Sequence, residues 1–81
     1  MLIYSFMEIP AHILIFKTNI ATPHDLQKVK PVLDTQQQII QWTIDQTDVD
    51  CVLRVVSHHF SYNSIIHLIT ETGYACMELP D

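Results

Sequence analysis

The residues most able to do chemistry sit close together at Thr22-Pro23-His24-Asp25, where a hydroxyl, an imidazole and a carboxylate fall within one short segment. Two kinds of chemistry suit that set. One is helix capping: Thr at the N-cap, Pro at the first helical position and an acid at the third satisfy the first amides of a helix and favour its dipole. The other is a hard-metal or zinc site built on His24 and Asp25 with Thr22 beside them, since imidazole and carboxylate oxygen both bind such ions. Two ligands from one loop leave a metal under-coordinated, so capping is the primary expectation for this turn.

A second candidate is the pair His58-His59, with His12 as a third imidazole. Imidazoles converging at one pole would suit zinc, nickel or copper(II). The plain alternative is that they are polar loop residues. His67 is expected on the polar side of a helix. Cys51 and Cys76 are the two cysteines, too few for the disulfide framework of a small secreted domain. They read as small buried hydrophobes on opposite faces of a sheet. No nucleophile–base pair stands out, and a single glycine cannot build a phosphate-binding loop. The expectation is therefore a protein that is not an enzyme.

Composition narrows the partners. The chain has 81 residues, 48% of them hydrophobic and 16% charged, which fits one folded domain with a modest core. Four Lys and Arg against nine Asp and Glu give a formal charge of −5, a poor match for a phosphate backbone, so nucleic acid is not expected as a partner. The apolar start Met1–Met7 has no basic flank and meets Glu8 and Pro10, unlike a targeting segment. No run approaches the ~20 apolar residues of a membrane helix, so membrane insertion is not expected and a cytoplasmic protein is.

The elements that must position these groups follow from periodicity. Ile13 to Thr18 is β-branched and aromatic, a strand. The helix opened by Thr22 carries Leu26, Val29 and Leu33 along one face, with Pro31 late enough to kink or shorten it. Ile39 to Asp45 alternates, with Ile40, Trp42 and Ile44 on one face. Gln46-Thr47-Asp48 reads as a hairpin connection. Asp50 to Ser57 is a third strand, with Cys51, Leu53 and Val55 inward and Arg54 outward. Ser61 or Asn63 caps a second helix bearing Ile65, Ile66, Leu68 and Ile69. Gly73 follows as the left-handed residue that ends it, and Tyr74 to Leu79 is a last strand with Ala75, Met77 and Leu79 on one face. The order β-α-β-β-α-β predicts an α+β, ferredoxin-like sandwich: a four-stranded antiparallel sheet with two helices on one face. Residues 12–81 form this domain, and 1–11 are an N-terminal extension.

With these elements in place, Phe16-Lys17-Thr18-Asn19-Ile20, Leu26, Val29 and Leu33, Trp42-Thr43-Ile44-Asp45, and Leu68-Ile69-Thr70-Glu71-Thr72-Gly73-Tyr74 together resemble the heavy-metal-associated (HMA) domain of copper chaperones and metal-transporting ATPases. The resemblance runs from about Ile13 to Leu79. It breaks at the chemistry. Metal-binding members of that family carry Cys-x-x-Cys where this chain has Thr22-Pro23-His24-Asp25. Two thiolates at a helix N-terminus suit a soft ion such as Cu(I); a hydroxyl and a carboxylate do not.

The alternation also leaves one sheet face open. Ile13, Ile15, Val52 and Val56, with Tyr74 beside them, would form an apolar patch between Lys17 and Arg54, and such patches mark interfaces or need a cover. The candidate covers are the chain's own Leu2, Ile3, Tyr4 and Phe6, or a second copy in a homodimer. A start at Met7 would instead make residues 1–6 foreign to the domain. Three functional expectations result. The first is a non-catalytic binding module that has lost its dithiol, has no cofactor and acts through protein contact. The second is a copper- or zinc-handling protein with the altered ligand set Thr22, His24 and Asp25, or with His12, His58 and His59. The third is a small-molecule regulatory domain.

Overall fold

The computed structural model describes residues 11–80. The expected extension, and with it Leu2, Ile3, Tyr4 and Phe6, lies outside the described residues up to Ala11. Six elements follow in chain order: β1 (His12–Thr18), α1 (Pro23–Asp34), β2 (Ile39–Asp45), β3 (Val52–Ser57), α2 (Tyr62–Thr70) and β4 (Cys76–Glu78). The four strands make one antiparallel sheet in the order β2-β3-β1-β4. This is the expected α+β ferredoxin-like arrangement.

Period-two alternation puts the inward residues of the central strands, Leu14 and Phe16 of β1 with Leu53 and Val55 of β3, into one cluster. Val29 and Leu33 of α1 and Ile65 and Ile69 of α2 complete it from the other side, so both helices lie on the same face. Phe16 is fully buried at the centre and its ring tilts against Tyr62 with centroids 5.1 Å apart. Ile20, which follows β1, is also fully buried, and it carries the chain from the sheet to the start of α1.

Several local expectations are corrected by the structure. Pro31 does not shorten α1, which continues to Asp34. In β2, Ile40 does not share a face with Trp42 and Ile44. Ile39 pairs with Ser57 and Gln41 with Val56, so Ile40 is the extra residue of a β-bulge, 56% exposed, while Ile39 turns inward. β3 begins at Val52 rather than Asp50, because Cys51 takes φ +44 and breaks the extended run. That kink aims the Cys51 carbonyl at Thr18, whose Oγ1 donates to it at 2.7 Å.

β4 is shorter than expected and its faces are reversed. Thr18 pairs with Cys76 and Lys17 with Met77, so Cys76 packs against the core and Met77 is exposed. Both cysteines adjoin Thr18, Cys76 as its partner on β4 and Cys51 through its carbonyl, just before β3. Both are free thiols, and β1 lies between β4 and the approach to β3. Gly73 has φ +97 after one further turn beyond α2, where Thr72 N–H donates to Ile69 O and Gly73 N–H to Thr70 O. Only glycine adopts that conformation without strain.

Candidate functional site: the turn from β1 to α1

The turn is built from the end of β1 outward. Thr18 Oγ1, besides donating to Cys51 O, accepts Ile20 N–H at 3.1 Å, which starts the chain's departure from the sheet. Gln46, at the β2–β3 connection, donates Nε2 to the carbonyls of Ile20 and Thr22 at 3.3 and 2.7 Å. Thr22 then has extended backbone angles, φ −119 and ψ 160, as an N-cap requires. Its Oγ1 accepts Asp25 N–H at 3.0 Å, and Asp25 Oδ2 reaches back to accept Thr22 N–H at 3.1 Å and Ala21 N–H at 3.3 Å. This is a complete capping box.

The other oxygen of Asp25 is committed as well. Tyr74 Oη donates to Asp25 Oδ1 at 2.8 Å, joining the turn after α2 to the start of α1. That bond and the contact with Thr22 hold the Asp25 carboxyl below the usual carboxylate range. Burial, seconded by the Asp25 bond and charge, pushes the Tyr74 phenol up from its ordinary value. Tyr74 thus belongs to the helix side, with its ring against the core, and is not part of the open sheet face where it was expected. No sequence signal located this contact, because it joins positions 49 residues apart.

His24, between Pro23 and Asp25, is exposed. Thr22, His24 and Asp25 stand together at the turn, yet no group of three or more metal-ligating His, Cys, Asp or Glu side chains exists among the described residues. Asp25 Oδ2 accepts the Ala21 and Thr22 amides, Asp25 Oδ1 the Tyr74 phenol, and Thr22 Oγ1 the Asp25 amide.

At the other pole, no group of three metal-ligating side chains forms around His12, His58 and His59 among the described residues. His12 pairs with Ser57 across β1 and β3, with the inward parity of Leu14 and Phe16. Ser57 is fully buried, and its Oγ donates to Gln38 O at 2.8 Å while accepting His59 N–H and Phe60 N–H. In the bend that follows, the His58 and His59 rings stand edge-on to each other at 61°, with centroids 6.1 Å apart, and no third ligand converges on them among the described residues. His67 lies exposed on α2, with Nε2 3.7 Å from Glu71 Oε2.

The remaining expected residues occupy the open face of the sheet. Ile13 pairs with Val56 and Ile15 with Arg54, while Val52 pairs with Asp45. Ile13 is 58% exposed and the other three aliphatics are partly exposed. Along the edge beside β4, a cleft of about 460 Å³ is lined by Asn19, Thr70, Cys76 and Met77 among others. Its polar groups are engaged within the fold: Asn19 Oδ1 accepts Ala75 N–H and Thr70 Oγ1 donates to His67 O. Burial pushes the Cys76 thiol up to about 11, so at neutral pH it is protonated and a weak nucleophile. No helix among the described residues is long and apolar enough to cross a membrane.

No family model matches the chain, and no curated protein matches it by sequence. Solved structures do. A CsoZ metallochaperone superposes with a TM-score of 0.70 at 20% identity, covering 84% of this chain and 99% of that one. The apo form of the HMA domain of a copper chaperone for superoxide dismutase superposes with a TM-score of 0.75 at 14% identity, covering 99% of this chain and 79% of that one. At such identities the likeness is one of fold. With the sheet order, the two helices on one face and the loop from β1 into α1 already described, it establishes that this chain has the HMA-like fold seen in copper chaperones.

Proposed function

We propose that this protein is a non-catalytic binding module with an HMA-like fold whose metal site is degenerate, and that it acts by contact with another protein. One observation carries the reading. At the turn where the resembling family places two thiols, Asp25 accepts three amide and phenol hydrogens, and Thr22 accepts the amide of Asp25. These groups close a helix and pin a tyrosine. A soft ion would find neither a sulfur donor nor an unoccupied pair of oxygens there. The partner is a protein of metal handling, met by a domain with the shape of its usual counterpart but without the dithiol.

Equilibrium dialysis of the full chain against Cu(I) and, separately, Zn(II) tests the proposal. The expected result is no stoichiometric uptake at submicromolar free metal. Stoichiometric submicromolar binding overturns it and favours a copper- or zinc-handling protein with an altered ligand set. His24→Ala and His58→Ala would then identify which end of the domain holds the ion.

A further inference from the structure

The outward residues of the sheet stand in rows, because directly paired residues share a face. One row is Gln41, Val56 and Ile13, and the next is Thr43, Arg54 and Ile15. The third pairs Asp45 with Val52 and Lys17 with Met77. Ile13 and Met77 are 58% and 57% exposed. An aliphatic surface of this kind gains by being covered.

The charges on the face indicate what covers it. Arg54 attracts Asp45, the diagonal neighbour on β2, and Lys17 Nζ lies 3.5 Å from Asp50 Oδ1. Two cations are thus matched by two acids, and the face is neutral although the chain carries a formal −5. Two copies of so acidic a chain repel each other least when they meet through a neutral surface.

We infer that the open face is covered by the same face of a second copy, with the two-fold axis running along the strands between β1 and β3. In each direction β3 then lies over β1 of the other copy, and β2 over β4. Ile13 meets Val56 of the second copy, and Ile15 meets the stem of its Arg54. The two guanidinium groups stand on opposite sides of the axis, each beside its own Asp45, so neither leaves water unpaired. Lys17 lies over Val52 of the second copy, one strand spacing (about 4.8 Å) from that copy's Asp45. An axis across the strands through the middle row would instead oppose Arg54 to Arg54, which like-charge repulsion disfavours. The face spans four strands of at most seven residues, about 19 by 23 Å, so the pair buries on the order of 900 Å². That is the range of weak, reversible association. The interface does not involve the β1–α1 turn, so it does not depend on what that turn binds.

Sedimentation equilibrium of the full chain from micromolar to millimolar concentration, with Overhauser measurements on a mixture of two differently labelled samples, tests this. The expected result is a reversible monomer–dimer equilibrium with contacts between molecules from the Ile13 methyls to those of Val56. Ile13→Glu should weaken the dimer about tenfold or more. Gln27→Glu, the same charge change on the exposed side of α1, should not. Unmoved Val29 and Leu33 methyl signals report that both variants stay folded, and the mixed-label contacts in the unaltered chain decide the matter without them. A chain that stays monomeric to millimolar concentration overturns the inference. Ile13 contacts confined to residues 1–10 of the same molecule overturn it too, and name the chain's own start as the cover. A dimer that Ile13→Glu leaves intact overturns it in favour of another surface.

Discussion

Tyr74 Oη donates to Asp25 Oδ1 at 2.8 Å, and through this bond the turn after α2 is fastened to the first turn of α1. The same carboxylate closes the capping box through its other oxygen. Asp25 is thus the junction of three segments: the β1–α1 turn, the helix it opens and the approach to β4.

Tyr74→Phe should remove one of these links and leave the box intact. The Asp25 carboxyl, relieved of its largest stabilising contact, should titrate closer to its ordinary value. Carboxyl carbon shifts followed against pH check this. An unchanged Asp25 titration would mean that the phenol does not bond the carboxylate in solution.

The depressed Asp25 value also fixes a pH dependence. Its folded value lies below the ordinary 3.8, so the stabilisation is fully present above 3.8 and is lost as pH falls through the folded value. Asp34, bonded to Lys30 and Trp42, and Asp45, bonded to Thr47, are lowered as well and contribute with the same sign. Urea unfolding of the parent and of Asp25→Asn at several pH values separates them. The stability difference between the two should be largest near neutrality and shrink in acid. A difference that does not change with pH would contradict the assignment.

Placing two thiols at the turn should confer soft-metal binding. In T22C/D25C the sulfurs stand at the N-terminus of α1 with the spacing that lets both reach one ion. The double variant should bind one Cu(I) per chain in competition with a chromophoric chelator. Without metal it should be less stable than the parent, with about 1 kcal/mol from the Thr22 cap alone. Failure of the folded variant to bind would show that the backbone of this turn does not hold two thiols in reach of one ion.

Thr18 is 5% exposed and serves two buried backbone groups, the Cys51 carbonyl and the Ile20 amide. Thr18→Val keeps the shape and removes the hydroxyl, leaving both unsatisfied at a cost of about 1–3 kcal/mol each at most. Thr18→Ser, which keeps the hydroxyl, should be the milder change. Denaturant midpoints for the two variants test the order, and equal losses would assign the effect to packing.

Gly73→Ala should destabilise although a Cβ there would meet nothing within 4 Å. At φ +97 the strain is in the backbone itself, on the order of 1–2 kcal/mol. Thermal unfolding measures it, and a neutral result would show that the turn relaxes to another conformation.

What the sequence determined by itself was whatever depends on near neighbours along the chain. Thr22 and Asp25 are three residues apart, so their spacing alone specifies the capping box, and the box forms as expected. The inward pair Leu53 and Val55 followed from alternation around Arg54, and of the two expected caps, Ser61 and Asn63, it is Ser61 that caps α2. Tertiary structure decided the rest. A bulge is created only when one strand is laid against another, which is why Ile40 left its expected face. Cys76 turned inward because β4 takes its register from Thr18, and a shift of one residue reverses every side chain of a strand. The bend that follows β3, where buried Ser57 Oγ donates to Gln38 O and accepts the His59 and Phe60 amides, rests on a long-range contact that alternation does not record. Tyr74 found Asp25 for the same kind of reason: periodicity records the face a residue prefers, but only the packed sheet and helices fix which distant group waits on that face.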